Sequence, residues 1–587
     1  MICVIFSIIG EILWLILSIR HISYSGAILV LTGLGICSTV YNYLHHYPIH
    51  NSSKIGYSII SALFSLSFLL YFYSSWNKSP SDICKAIVLG TISFYIFWQV
   101  CACTEQYIIT HKLLGIYYDP NRKHSIVVFS GTFGIIAIVY LIYLFFISYP
   151  ANAYSDSWRI TQCFTGYYSN HTTVYHTYII KACIEIGKKL FGNNTAGIAT
   201  FNVFQILFMA FCFAYSVALL YKMHAPKWFL VAAFIYYAIV PYNIFYSTSV
   251  NQNAMFSAST VLLTAFLIEI VYSKENCRQI RLVAIGYFII SICFCLFRTN
   301  AYYAYCLLTI CLLIYSVRLF IRSRKSGKDS RWTLYKYYSL LFLSLAVVGI
   351  CSILRGPMIR HLNVRQVDAV ESLSIPVQQI ARTIYDGKML TEEQKELLGK
   401  VVDIDKVSTT YTSWIADPMK DLVREGENQD YISKHAEEFL HLWVTLGLQY
   451  PGEYAKAWID QTVGYWGLDT CPVDYYQDDV FVLEEYNIKG NIRSEVLNSV
   501  WDKYTYMFNH IYFLRLFSCV GIQIWLMLIL FFVSVVNRRN FLWILPILGL
   551  WITLLIAVPV ADALVYAYGI LVTMPLAVIA VQLDQNY

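Results

Sequence analysis

Residues 281–297 read RLVAIGYFIISICFCLF, and residues 301–321 read AYYAYCLLTICLLIYSVRLFI. Each stretch is predominantly apolar over about the 20 residues that a helix needs to cross a bilayer. Only Arg298, Thr299 and Asn300 separate them, so they predict two consecutive membrane helices. Spanning β-strands would instead show shorter segments of alternating hydrophobicity, which favours an α-helical membrane protein.

The rest of the chain continues this pattern. Of its 587 residues, 58% are hydrophobic, 17% aromatic and only 13% charged, with a mean hydropathy of +0.54. Such a composition excludes a soluble globule, and the aromatic content excludes a disordered chain. About fourteen apolar runs are long enough to span a membrane. They lie near residues 2–19, 22–44, 55–75, 83–103, 125–148, 197–221, 228–246, 255–273, 281–297, 301–321, 336–354, 513–536, 541–559 and 563–582.

The predicted fold class is therefore all-α: a polytopic transmembrane protein with about 14 spans. We interpret the first run as an uncleaved helix rather than a signal peptide, because it lacks a basic start and contains Glu11.

Basic residues in the short loops predict the topology, because such loops stay preferentially in the cytoplasm. The most basic loop runs from Arg318 to Lys336 and includes Lys328, and further basic loops lie at 274–281 and 538–539. Placing them inside predicts a multi-pass plasma-membrane protein with both termini cytoplasmic. Residues 149–196 and 355–512 then face outward. The second of these segments holds 25 acidic and 15 basic residues, so the net positive charge belongs to the membrane loops and indicates no nucleic-acid partner.

These boundaries divide the chain into four predicted domains. They are N-terminal transmembrane helices (1–124), a transmembrane core (125–354) with an external loop (149–196), an extracytoplasmic domain (355–512) and C-terminal transmembrane helices (513–587). The extracytoplasmic domain is predicted to be mostly helical. Its helical signals are the capping-box pattern Thr391 to Gln394, Pro451 in a first turn, and the spacing of Phe439, Leu440, Trp443 and Val444.

The loop 149–196 carries the main catalytic candidate. Asp156 follows a predicted membrane helix within a few residues and precedes Ser157, Trp158 and Arg159. A carboxylate at the membrane interface can accept a proton from a hydroxyl placed within about 2.6–3.2 Å. The alternative is that Asp156 caps the helix that begins at Ser157.

A second helix is predicted within the same loop. Apolar residues recur at helical spacing from His171 to Leu190, with charged residues on the other side: Lys181, Glu185, Lys188 and Lys189. This pattern predicts an amphipathic helix in the interface rather than a membrane span.

Three further side chains are candidates for substrate binding. His171 and His176 lie five residues apart, unlike a zinc pair on one helical face. We predict surface or interfacial histidines, with contact to substrate or phosphate as the alternative. Arg298 lies at the outer end of a predicted span, where snorkelling to water and clamping of a lipid phosphate are both open.

The sequence assigns no cofactor. Its sixteen cysteines are scattered singly, mostly within apolar runs, so we interpret them as small buried hydrophobic residues. A divalent cation stays open, but no cluster of ligands indicates one.

Several motifs occur in a fixed order along the chain. They are Tyr149-Pro150, Tyr154-Ser155-Asp156, Tyr168-Ser169-Asn170-His171, His176-Thr177, Leu190-Phe191-Gly192, Ala196-Gly197, Phe204-Gln205, the segment Ser374 to Arg382, Tyr450-Pro451-Gly452 and Tyr465-Trp466. Together they resemble the GT-C superfamily of membrane glycosyltransferases, in a little-characterised branch found especially in Gram-positive bacteria.

The resemblance implies transfer of a sugar from a polyprenyl-phosphate donor, among membrane lipids, to a glycan, lipid or protein acceptor on the outer face. It also implies that Asp156 is the base. Relatives often carry two charges in a tract that corresponds to residues 250–256, which hold none here. Asn251 and Asn253 remain there to bind hydroxyls or phosphate, or to cap a helix.

Two other hypotheses stay open. One is a transporter or flippase of a lipid-linked saccharide, although the conspicuous polar residues gather at predicted helix ends rather than at the bilayer midplane. The other is a catalytically inactive GT-C relative, which Asn253 in place of an acidic residue favours.

Overall fold

A computed structural model describes residues 7–12, 14–15, 25–45, 51–73, 80–110, 116–171, 173–274, 278–326, 331–425, 431–468, 481–557, 559–561 and 564–583. The described residues form helices and connecting loops, with isolated bridges but no strand of a sheet. The all-α prediction is confirmed for this part of the chain. Most of the predicted run 2–19, and Lys328, lie outside the described residues.

Between residues 25 and 353, the described chain forms thirteen helices, which precede the predicted external domain. They are α1 (Ser25–His45), α2 (Asn51–Tyr73), α3 (Pro80–Thr110), α4 (Ser125–Phe146), α5 (Ser157–Thr165), α6 (Val174–Phe191), α7 (Asn194–Lys222), α8 (Lys227–Ile239), α9 (Pro241–Ser247), α10 (Gln252–Tyr272), α11 (Arg278–Phe297), α12 (Thr299–Ser326) and α13 (Arg331–Ile353).

A group of shorter helices follows, before three apolar helices end the chain. The shorter ones are α14 (Ser374–Tyr385), α15 (Glu392–Gly399), α16 (Ile404–Thr410), α17 (Asp417–Glu425), α18 (Tyr431–Lys434), α19 (Ala436–Gln449), α20 (Pro451–Thr462), α21 (Glu495–His510) and α22 (Tyr512–Arg515). The apolar helices are α23 (Val520–Val536), α24 (Leu545–Ala557) and α25 (Leu564–Ala580).

Eight helices of the described chain are long and apolar enough to cross a membrane, namely α2, α3, α4, α7, α10, α11, α12 and α13. A ninth span results if α8 and α9, which bend by 46° at Val240, count as one. The bend follows from Pro241, which disfavours helical geometry at the preceding residue. Helices α23 to α25 are apolar but shorter. The chain is thus a multi-pass membrane protein, and the count of about fourteen spans stays a prediction.

Helix α10 forms the centre of the membrane core. It packs against α7, α11 and α25, and its residues from Asn253 to Tyr272 are all buried. Small polar side chains allow this close packing and bond back along the helix: the Ser259 hydroxyl donates to the Met255 carbonyl at 2.8 Å. Small residues of this kind are typical of contacts between membrane helices.

A buried ionic cluster lies at the C-terminal end of α10. The Glu269 carboxylate is fully buried and accepts hydrogen bonds from Lys222 Nζ at 2.9 Å, from the Tyr118 hydroxyl at 3.1 Å and from the Tyr215 hydroxyl. Both carboxylate oxygens therefore have partners, as a buried charge requires. The cluster joins the loop before α4 to α7 and α10.

Helix α6 confirms the predicted helix in the loop 149–196 but presents a different face to the core. The face packed against α7 contains His176, Thr177, Ile180 and Gly187, whereas Ile186 and Leu190 of the predicted apolar face are exposed. Small residues decide the orientation, because a Cβ added to Gly187 would lie 2.8 Å from the Cα of Gly197 on α7. The exposed apolar side is compatible with an interfacial position.

Helices α14 to α19 and the start of α20 enclose a second hydrophobic core, formed by residues between Val370 and Tyr454. The capping box at Thr391 and the first-turn position of Pro451 are confirmed. The predicted apolar face of α19 is only partly buried, since Leu440 and Val444 are exposed. Hydrophobic residues within 459–468 and 481–508 contribute instead to the core of the membrane helices.

Candidate functional site

The loop before α5 is held by buried hydrogen bonds to α9 and to the loop between α9 and α10. Asn152 Nδ2 donates to the Phe245 carbonyl at 2.6 Å. The Asp156 amide donates to the Val250 carbonyl at 3.1 Å, and the Val250 amide donates to Ser155 Oγ at 3.0 Å. Buried backbone groups need such partners, and these bonds fix the backbone of Asp156 beside the start of α10.

Two amide side chains on α7 form hydrogen bonds with the backbone of both segments. Gln205 Nε2 lies within hydrogen-bonding distance of the carbonyls of Ser247, at 3.0 Å, and Ser249, at 2.8 Å. Asn202 Nδ2 donates to the Pro150 carbonyl at 2.7 Å. Buried polar side chains thus replace water as partners of the loop backbone. The two loops are therefore held in one conformation beside the site.

Asp156 occupies the N-cap position of α5, but its carboxylate makes no capping hydrogen bond. It accepts instead from Arg159 Nε at 3.2 Å, with 26% of the Asp156 side chain exposed. The capping alternative is therefore right about the position and wrong about the bond. Burial raises the pKa of the Asp156 carboxyl, and the charge and hydrogen bond of Arg159 oppose that rise.

Arg159 is fully buried between the Asp156 carboxylate and the His176 imidazole. Its Nη1 lies 3.3 Å from His176 Nδ1, and its Nη2 has no partner among the described residues. Burial lowers the pKa of the Arg159 guanidinium, and Asp156 counteracts the effect. Arg159 orients the carboxylate and leaves one N–H group for a further partner.

The prediction that His176 is a surface or interfacial histidine is wrong, because its side chain is fully buried. The ring lies edge-on to Phe201 and Phe297, at centroid distances of 5.6 and 5.9 Å. Burial, with a smaller contribution from Arg159, holds the pKa of the imidazole well below its usual range, so the ring is neutral at neutral pH. Its Nε2 has no partner within the described chain.

Arg298 is also buried, with 4% of the residue exposed, so the snorkelling interpretation is wrong. Its Nη1 donates to the Tyr566 carbonyl at 2.9 Å, and its guanidinium carbon lies 4.9 Å from the Tyr566 ring and 5.5 Å from the Phe256 ring. Nη2 finds no acceptor in the described residues. A buried cation held by one carbonyl and two rings retains capacity for an anion.

The two asparagines at the start of α10 have different roles. Asn251 is the N-cap, and its side chain accepts a hydrogen bond from the Asn253 amide at 2.7 Å, which confirms the capping alternative. Asn253 is 5% exposed, and its Oδ1 has no partner in the part of the chain described. Of the pair, Asn253 is thus the one still able to bind a ligand.

His171 lies at the open edge of the site, as predicted for a surface histidine. Its side chain is 46% exposed, and Nδ1 lies 3.8 Å from Glu371 Oε2 in the second helical core. Its ring lies 5.7 Å from the exposed ring of Trp158. Burial raises the pKa of the Glu371 carboxyl, but hydrogen bonds from Lys420 and Arg424 outweigh it and lower the pKa overall.

Contacts connect the site to the start of α25 and to α17. Arg298 Nη1 donates to the Tyr566 carbonyl at 2.9 Å. Lys420 Nζ on α17 lies 2.9 Å from Glu371 Oε1, and Glu371 Oε2 lies 3.8 Å from His171 Nδ1. Sequence reasoning missed Tyr566 and Lys420, which no spacing connects to Asp156. It also missed Arg159 as a site residue, although its position three residues after Asp156 on a helix is a usable signal.

A metal centre finds no support in the described residues, which contain no group of three His, Cys, Asp or Glu side chains able to hold an ion. The fold and this polar site define the class: a multi-pass α-helical membrane protein with a buried, charged site at the ends of its core helices. Within that class the chain belongs to a family of unknown function, DUF6020, which covers residues 158–586. No curated protein and no solved structure matches the chain.

Proposed function

We propose that the protein is a membrane glycosyltransferase of the GT-C type, which transfers a sugar from a polyprenyl-phosphate donor to a cell-envelope acceptor. Two observations carry this proposal: the partly exposed Asp156 carboxylate is paired with the buried Arg159, and both Arg159 and the buried Arg298 keep N–H groups without a partner among the described residues. A base and an anion site are what glycosyl transfer from a phosphate requires.

In the proposed reaction, the acceptor hydroxyl gives its proton to Asp156 while its oxygen forms a bond to the anomeric carbon of the donor sugar. The bond between that carbon and the phosphate oxygen breaks, and its electron pair leaves with the polyprenyl phosphate. Arg298 stabilises the leaving phosphate through Nη2, which has no partner in the described part of the chain. Asn253 and the neutral His176 are the further candidates for contact with the donor.

An apolar cavity in the membrane core matches the lipid part of the proposed donor, and its lining residues are separate from those of the polar site. It has a volume of about 610 Å³, within the range of ligand sites. It lies between α8, α21, α23 and α25, and its lining is almost entirely apolar. A hydrocarbon chain is the ligand class that such a lining accommodates.

The proposed orientation puts Asp156 and the region 355–512 outside the plasma membrane and both termini in the cytoplasm. In a Cys-free background, a cysteine at the exposed position Ser408 should react with an impermeant thiol reagent on intact cells, and one at the exposed Lys123 should not. The opposite labelling would reverse the topology.

The decisive test is sugar transfer by the purified protein in lipid nanodiscs, with radiolabelled polyprenyl-phosphate sugars and a cell-envelope extract as acceptor. Labelled product that disappears in the Asp156→Asn variant supports the proposal. Donor binding without transfer by the wild type would instead identify an inactive relative.

The bend between α8 and α9 favours a second candidate, a flippase for lipid-linked saccharides. Broken membrane helices are typical of transporters, and this break adjoins the apolar cavity, which Val240 lines. Protein-dependent movement of a labelled lipid-linked saccharide across a proteoliposome bilayer, with no transfer product, would favour this candidate.

A further inference from the structure

The open side of the site presents an aromatic ring. Trp158, in the first turn of α5, is 38% exposed, although the next residue, Arg159, is fully buried. The Arg159 guanidinium carbon lies 5.4 Å from the Trp158 ring. The same guanidinium binds the Asp156 carboxylate, so Arg159 holds the ring and the carboxylate next to each other.

Hydrogen-bonding groups lie beside this ring. The His171 imidazole lies edge-on to it, with the ring centroids 5.7 Å apart and an angle of 76° between the ring planes. The Glu371 carboxylate is 3.8 Å from His171. The Trp158 ring thus lies in a group of side chains that includes the His171 imidazole and, through His171 and Arg159, the carboxylates of Glu371 and Asp156.

We propose that Trp158 forms an acceptor subsite for a pyranose ring, so that the acceptor is a carbohydrate. This inference rests on the proposed function and names its acceptor class. One face of a pyranose consists of C–H groups, which carry partial positive charge and pack on the electron-rich face of an indole. Its hydroxyl edge needs acceptors and donors, which Asp156, His171 and Glu371 supply.

The geometry assigns this subsite to the acceptor rather than to the donor. Arg298, the proposed phosphate ligand, is buried among Phe256 and Tyr566, whereas Trp158 is open to solvent. A water-soluble glycan can therefore contact the exposed Trp158 ring, whereas the donor phosphate needs the buried Arg298.

Saturation-transfer NMR on the full-length protein in nanodiscs tests the subsite without requiring turnover. The probes are methyl β-D-glucopyranoside, methyl α-D-mannopyranoside and methyl β-D-galactopyranoside. We expect at least one to bind the wild type, with about tenfold weaker affinity for Trp158→Leu and an intermediate loss for Trp158→Phe, which keeps a smaller aromatic face. Trp228→Leu is the matched control, because Trp228 is a 69% exposed tryptophan on α8, distant in sequence from the site.

The subsite is overturned if no glycoside binds the wild type, if Trp158→Leu binds as tightly as the control, or if only a hydroxyl-bearing peptide binds. Should Trp158→Leu melt at a lower temperature than the control, the Trp158→Phe titration decides. Glycoside binding that depends on Trp158 without sugar transfer would support the subsite and contradict the proposed function. Sugar transfer with an acceptor KM that is the same in the wild type and in Trp158→Leu would support the proposed function and contradict the subsite.

Discussion

The buried polar groups at the two ends of α10 differ in whether the described chain supplies all their hydrogen-bond partners. At its C-terminal end, Glu269 has hydrogen-bond partners on both oxygens, all supplied by the chain. At its N-terminal end, about 30 Å away for a helix of 21 residues, Arg159, His176 and Arg298 each keep a polar atom without a partner in the described residues.

This difference separates a structural role from a binding role. Buried polar groups without partners destabilise a fold, so a site that retains several of them is adapted to a ligand that completes it. The Glu269 cluster needs none. We therefore expect substitutions at the Glu269 end to affect stability, and substitutions at the Asp156 end to affect transfer.

The largest expected effect is the loss of stability in Glu269→Leu. This change leaves the Lys222 ammonium, which is only 13% exposed, without its carboxylate. Breaking a buried ion pair from one side costs about 3 kcal/mol or more of unfolding free energy. Denaturant titration in detergent measures it, with Glu269→Gln as the milder control. A Glu269→Leu protein as stable as the wild type would remove the contrast between the two ends.

The second prediction concerns the base. Asp156→Asn keeps the shape of the side chain but cannot accept the hydroxyl proton, so transfer should fall by roughly 10²-fold or more, which corresponds to about 2.7 kcal/mol. The amide oxygen of the variant side chain can still accept the Arg159 Nε hydrogen bond, but the buried guanidinium loses its counter-charge, so the melting temperature should fall modestly. Transfer at the wild-type rate by the folded variant would eliminate Asp156 as the base.

Arg298→Lys should have a smaller effect. The ammonium keeps the charge but loses the planar fork, which lets one N–H bind the Tyr566 carbonyl while another contacts the donor phosphate. We expect the donor concentration for half-maximal transfer to rise about tenfold, which corresponds to about 1.4 kcal/mol. Superimposable donor saturation curves would exclude phosphate clamping by Arg298.

The smallest effect is a shift of the pH profile. Asp156 must be ionised to act, and burial raises its pKa, so transfer should fall on acidification at a pH above that expected for an ordinary aspartate. Arg159 lowers this pKa. Arg159→Met should therefore move the acid limb of the rate profile to higher pH, measured with saturating donor. An unmoved limb would show that Arg159 does not tune the base.

The sequence predicts the helices well because their signals are local. Length and apolarity predict the eight spans found in the described chain. Pro451 and Thr391 mark helix starts, and Asn251 caps α10 as expected. The orientation of α6 is not local. It depends on the contact of Gly187 with Gly197 on the neighbouring helix, which no periodicity of α6 alone encodes.

The site is predictable only in part for the same reason. Asp156 was singled out from its place after a helix, but whether a polar residue faces water or protein depends on distant segments. Phe201 and Phe297 bury His176, and Tyr566 near the C-terminus binds Arg298. The sequence therefore predicts a surface or interfacial position for His176 and leaves snorkelling to water open for Arg298. Both side chains are buried.

The contact between Gly187 and Gly197 affects how natural variation in this family is to be interpreted. An alanine at position 187 brings a methyl group against the backbone of α7 and forces the two helices apart. His176 lies on the same face of α6, about 16 Å along the axis, and would move together with α6. Arg159 would then lose its contact with His176, and the Asp156 carboxylate would no longer be held in place by Arg159. Such a variant would lose activity as a variant of a catalytic residue does, although the altered residue lies far from every reacting atom.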